Sequence, residues 1–271
     1  MAAPGPKPAQ RLAELRRVLV EVLTSAAGHI EHSQDGARHV LRARTRLKRA
    51  AALTAAFEPS LTKRDGIRAQ KTIRRARRGL GATREAAALV ETLRGLGLSS
   101  AIVAELTEIA APGAEPEPRR ATRDAHALRI LAMRAAAWPV GPRGAKRALE
   151  AIIEAYRAAR RLGPKAFKSQ DDDDLHDLRG RAIALSVQLA HWSAPDDRRA
   201  QAFKRLRHAL GEHHDLAVAH RHILNHSEPL AGELSDAIRT IGKKRSAARG
   251  RARRAFAALF DATPKAFAKS L

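Results

Sequence analysis

The 271-residue chain has no cysteine, which excludes disulfides, thiolate metal sites and a cysteine nucleophile. Aromatic residues are scarce: six Phe, two Trp and one Tyr. Proteins that grip single-stranded nucleic acid usually stack bases on aromatic side chains, so the shortage favours phosphates over bases as targets. Long hydrophobic runs are missing as well. The longest uncharged stretch, Ile183 to Pro195, falls short of the roughly 18 apolar residues that a spanning helix needs. The opening MAAPGPKPAQR carries no apolar leader region. A soluble cytoplasmic protein without membrane association is expected. The last scarcity is acid: 28 Asp and Glu stand against 51 Lys and Arg, a formal net charge of +23.

What is present is enough to fold. Apolar residues make up 44%, close to the globular norm, so a core can form beneath the charge. A surplus of this size opposes compaction unless a polyanion offsets it. An acidic partner is therefore the first functional expectation.

Ala, Leu, Arg, Lys and Glu dominate every segment, and alternating Val/Ile/Thr runs are absent, so the chain reads as all-α. Helices are predicted over 11–27, 35–57, 63–80, 83–95, 99–110, 121–137, 143–162, 172–190, 196–210, 213–224 and 230–261. Residues 1–10, with Pro4, Pro6 and Pro8, read as a flexible arm, and 262–271 as a tail. A proline-rich linker over 111–122 divides the chain into halves, 11–110 and 123–261.

The halves share two ordered blocks. His39-Val-Leu-Arg42-Ala-Arg44 precedes Arg74 to Glu85 (RRARRGLGATRE) in the first. His176-Asp-Leu-Arg179-Gly-Arg181 precedes Lys204 to Asp215 (KRLRHALGEHHD) in the second. His39 pairs with His176 and Gly81 with Gly211. Two helical bundles related by a pseudo-twofold are inferred.

Charge is also periodic. At 100° per residue, His39, Arg42, Arg46 and Arg49 share an arc of about 80°, while Arg44 and Lys48 turn towards solvent. Arg64, Arg68, Lys71, Arg75 and Arg78 form a second stripe. Like charges at i,i+4 are mutually destabilising. Their repetition without interleaved acids suits a wall that meets many phosphates, for which the planar guanidinium is well shaped.

The blocks HVLRARTRLKR, RRGLGATRE, LHDLRGRA and KRLRHALGEHHDLAVA, with LEAIIEAYRAARR over 149–161, resemble the CHAD domain family across roughly residues 10–260. The resemblance implies two antiparallel helical bundles with a basic groove or cavity between them. It also implies binding of inorganic polyphosphate, in some members at polyphosphate granules. Carried over by position, the first-half ligands would be His39, Arg42, Arg46, Arg49, Lys71, Arg74, Arg75 and Arg78. The second-half ligands would be His176, Arg179, Arg181, Lys204, Arg205 and His208, with Arg157 and Arg160 from the Tyr156 segment. Ile183, Ser186 and Gln201 stand where basic residues are usual in the family, so a lopsided groove is expected.

Other readings are weaker. The cluster His208, His213, His214, Asp215, His220, His222 and His226 contains neither an HExxH pair nor a closed ligand set, so no metal is expected. Asp171–Asp174 reads as the acidic start of a helix. His39 and His176 read as phosphate donors that strengthen as pH falls, with packed core histidines as the alternative. No phosphate-binding GxxxxGK[ST] loop or Ser/His/Asp set is seen, so neither catalysis nor a cofactor is expected. A non-specific nucleic-acid binder is the alternative function, and an adaptor using Lys243-Lys244-Arg245 is a third. A monomer or homodimer is expected.

Overall fold

The computed structural model describes the backbone of residues 7–110, 117–169, 171–193, 196–225 and 231–271. These residues are all-α. The helices are α1 (Pro8–Glu31), α2 (Ala37–Phe57), α3 (Lys63–Gly79), α4 (Gly81–Arg94), α5 (Ser100–Ala110) and α6 (Pro118–Ala136). They continue as α7 (Pro142–Ala166), α8 (Asp172–Trp192), α9 (Asp197–Asn225), α10 (Ala231–Leu259) and α11 (Pro264–Lys269). No strand occurs among the described residues, and none of their helices is long and apolar enough to cross a membrane.

Local chemistry sets the boundaries. Pro8, Pro118, Pro142 and Pro264 stand in the first turns of α1, α6, α7 and α11, where the missing N–H is not needed. Two expectations shift for this reason. The helix of the supposed arm starts at Pro8, and α6 starts within the segment read as linker; residues 111–116 of that linker lie outside the described residues. Asp171 caps α8 by accepting from the Asp173 amide at 2.9 Å, as the acidic run suggested. The tail is helical and docked: Phe267 is buried and stacks on Tyr156 with ring centroids 3.8 Å apart.

The Leu-Gly blocks of the two halves fold differently. Leu80 ends α3 with φ −109° and ψ 11°, and α4 begins at Gly81. At Leu210-Gly211 the helix runs on, so α9 is one 29-residue helix where the sequence suggested two. Gly211 has no Cβ, and the Arg179 guanidinium uses that space: a Cβ there would stand 3.2 Å from its Nη2. Isolated glycine is tolerated inside a helix at a modest cost.

Two apolar clusters hold the molecule. The larger joins α1, α2, α3, α6, α7, α8, the first half of α9 and the end of α10, with Leu19, Leu47, Phe57, Ile152 and Trp192 among its buried side chains. The smaller joins Leu89 and Leu93 of α4 and Leu106 of α5 to Ile223 of α9 and Ile241 of α10. Helices that precede residue 111 thus complete a core with helices from the far end of the chain. The boundary between the sequence halves is not a boundary in packing.

Candidate functional site

Helices α2, α8 and α9 lie side by side, and two cavities open along them. The larger, about 690 Å³, is lined by Arg38 of α2, Arg179 of α8, Arg207 and His208 of α9 and Lys244 of α10. The smaller, about 430 Å³, is lined by Arg49 of α2, Ser186 and His191 of α8, and Arg199 and Arg207 of α9. Arg207 lines both, so the two cavities adjoin along α9 and are together called the trough. From Ala200 to Asp215 that is 15 residues, about 22 Å at 1.5 Å per residue.

The trough is cationic but not uniformly so. Glu91, Glu212 and Asp215 line the larger cavity and Asp196 the smaller. Glu212 is held by Arg251 at 2.6 Å, and Asp196 lies 3.6 Å from Arg199. Lys244 donates to the Gly95 carbonyl at 2.8 Å, which ties α10 to the end of α4.

Arg49 is the best defined of the expected ligands in the trough. Its Nη2 donates to His191 Nε2 at 2.8 Å, joining α2 to the last turn of α8. Burial first, and the Arg46 charge second, disfavour its charged form, yet a guanidinium remains protonated throughout the physiological range. A nearby anion would relieve that electrostatic stress. His39, Arg42 and Arg46 precede Arg49 along α2 and line neither cavity; the fields of all three reach His29 of α1. His176 faces His214 with ring centroids 4.8 Å apart, and Lys204 lies exposed on α9, one turn from both Arg207 and His208.

Several other expected ligands lie elsewhere. Arg75 donates from Nε to Oδ1 of Asp124 at 2.6 Å, and Asp124, on α6, is only 4% exposed. This arginine neutralises a buried carboxylate. Lys71, Arg74 and Arg78 share the exposed surface of α3. Helix α3 packs on α2 and α6, away from the trough-lining face of α9. Arg157 pairs with Glu154, and Arg160 donates from Nε to the Phe260 carbonyl at 3.0 Å beyond the end of α10. Arg181 is exposed about 160° around α8 from Arg179, and Arg205 is exposed beside Lys204. Arg44, read from the sequence as facing solvent, donates instead to the Leu80 carbonyl at 2.8 Å and satisfies the end of α3.

A match to the CHAD domain model spans residues 13–224, from α1 to the last turn of α9. The chain belongs to the CHAD domain family. One solved structure similar to this CHAD chain, PptA from Streptomyces chartreusis, has 17% sequence identity and a TM-score of 0.58. The alignment covers 91% of this chain and 98% of that one. The likeness is one of fold. No curated protein matches the chain. The CHAD match stops short of α10 and α11, so Lys244 and the contacts of Arg160 and Tyr156 with the C-terminal segment lie outside it or reach across its end.

Arg38, Arg199 and Arg207 were missed by sequence reasoning. For Arg207 a signal existed, because it stands one turn before Gly211 on the side of α9 that carries Lys204. Arg38 adjoins His39 but falls outside the narrow arc of the stripe. Of the histidine cluster, His213 is buried 3.9 Å from Asp172, and His222 bonds to the Leu106 carbonyl at 2.7 Å; His226 lies outside the described residues. No metal-binding group of three was found among the described residues.

Proposed function

We propose that this CHAD protein binds inorganic polyphosphate in the trough between α2 and α9, with α8 as its floor, and performs no chemistry on it. Arg49, Arg179, Arg207 and His208 are the central ligands. The stripe of His39, Arg42 and Arg46 extends the path at one end, and His176 and Lys204 flank it. One observation carries the reading: in a member of this family, cations from helices on both sides of residue 111 line two cavities that share Arg207. The repeat supports a pseudo-twofold pairing of the His39 and His176 blocks across it. We place the protein in the cytoplasm, at polyphosphate granules, as a monomer or homodimer.

The deciding experiment is competition between long-chain polyphosphate and duplex DNA at physiological salt. Polyphosphate should displace DNA, because DNA offers phosphates but no aromatic-poor trough rewards its bases. If DNA wins or ties, the protein is a non-specific nucleic-acid binder instead. Phosphate released above background from polyphosphate or ATP would overturn the non-catalytic part of the reading.

A further inference from the structure

The end of α1 and the start of α2 bring three histidines together. His29 lies in the last turn of α1, His32 is its C-cap, and His39 lies in the first turn of α2. The His39 ring stands 5.5 Å from that of His29 and 5.7 Å from that of His32, centroid to centroid. His32 Nδ1 donates to the Gly28 carbonyl at 2.8 Å, which leaves its Nε2 to face outward. His39 Nδ1 is buried and has no hydrogen-bond partner among the described residues. Neither His29 nor His32 belongs to any basic stripe of the sequence.

The charges that act on His29 are of one sign. His29 feels His32, His39, Arg42 and Arg46. Two acids lie in the same segment. Glu31 is held by Arg129 of α6 and feels His32 only weakly beside it; Asp35 is exposed in the short 3₁₀ turn Ser33–Asp35. A metal cation finds no suitable set of three donors here and would meet two guanidinium groups. An oxyanion meets the opposite situation: two fixed positive charges and three rings able to become positive.

We propose that His29, His32 and His39, with Arg42 and Arg46, form a proton-coupled phosphate subsite, in which a bound phosphoryl group draws protons onto the imidazoles. In the free protein, burial first and then the positive neighbours hold His29 below the ordinary imidazole range. A phosphate oxygen reverses the second of these effects, so each binding event takes up protons from solution. His32 then donates through Nε2, and the unmet Nδ1 of His39 gains an acceptor once the rings part around the ligand. The natural ligand rests on the polyphosphate reading; the subsite itself is tested with inorganic phosphate.

Two measurements decide it. Long-chain polyphosphate is titrated into the full chain at pH 6 and pH 8, for the wild type and for His29→Gln/His32→Gln. Wild type should bind about tenfold tighter at pH 6, and the double variant should keep about threefold or less of that gain. An equal pH 6 to pH 8 ratio in both overturns the subsite. If wild type binds polyphosphate at neither pH, the polyphosphate reading fails, and imidazole ¹⁵N NMR with inorganic phosphate decides the subsite alone. Joint shifts of the His29, His32 and His39 rings with phosphate support it; rings that do not move overturn it.

Discussion

Arg49 donates to His191 across 2.8 Å, so the histidine must offer a lone pair at Nε2 and be neutral. Burial is the main cause that holds His191 below the ordinary imidazole range, and Arg49 is the second. His29 and His213 are held low as well, by burial first in each case. The unfolded chain therefore binds more protons than the folded one between the lowered and the ordinary histidine values. The stabilisation is complete above the unfolded value near pH 6.5 and is lost as pH falls through the folded values. Urea midpoints of the free protein should drop on going from pH 7.5 to pH 5, and His191→Gln should lessen the drop. A midpoint that rises on acidification would show the signs to be wrong. Acid should thus weaken the free fold while, if the proposed subsite operates, strengthening polyphosphate binding.

Arg49 and Arg75 should fail in opposite ways. Replacing Arg75 with Ala leaves Asp124 buried, with Arg120 at 3.7 Å as its remaining ionic partner. A buried charge that loses a hydrogen-bonded partner costs about 1–3 kcal/mol, so stability falls while polyphosphate affinity changes little. Arg49→Ala should lower affinity with a smaller loss of stability. Urea unfolding and polyphosphate titration on the same two variants separate the roles.

The stripe on α2 can be distinguished from bulk charge. Arg42→Ala/Arg46→Ala/Arg49→Ala removes three charges of the proposed binding path; Arg123→Ala/Arg134→Ala removes two exposed charges on α6. By analogy with DNA, where each phosphate contact adds about 0.9 to the salt slope, the triple variant should flatten that slope by about 2–3. Its affinity should fall at least about tenfold, and that of the α6 variant by less than about threefold. Comparable losses per charge would mean that only the total of +23 matters.

Gly163 marks a close crossing of α7 and α10. A Cβ at this position would overlap the ring of Phe256, which sits in the larger core. Gly163→Ala should cost about 1–3 kcal/mol through overpacking, read as a lowered urea midpoint, with polyphosphate affinity at saturating stability unchanged.

Much of this was legible in the residues. Helical composition and apolar spacing gave the helices, because propensity and periodicity act locally. Of the stripe on α2 only Arg49 lines a cavity, whereas the block around His208 supplies Arg207, His208 and Gly211 to the lining. Individual arginines were harder to assign. Arg44, Arg75 and Arg160 have the same chemistry as Arg42 and Arg49, but Leu80, Asp124 and Phe260 claim them through contacts 36 to 100 residues away. The identical Leu-Gly pairs also misled, since one ends a helix beneath Arg44 and the other lies inside a helix beneath Arg179. His29 and His32 carry no periodic signal at all. They meet His39 only because the chain reverses between α1 and α2.

The smaller apolar cluster has a further meaning for how the molecule is made. Leu89, Leu93 and Leu106 find their cover on Ile223 and Ile241, so a ribosome that has finished the first half has not yet supplied the surface those side chains need. Synthesis must hold α4 and α5 waiting until α9 and α10 emerge. The same interlock gives a route to reassembly: fragments divided between residues 111 and 116 would each carry half of a shared core, and mixing them should restore one molecule where neither alone is whole.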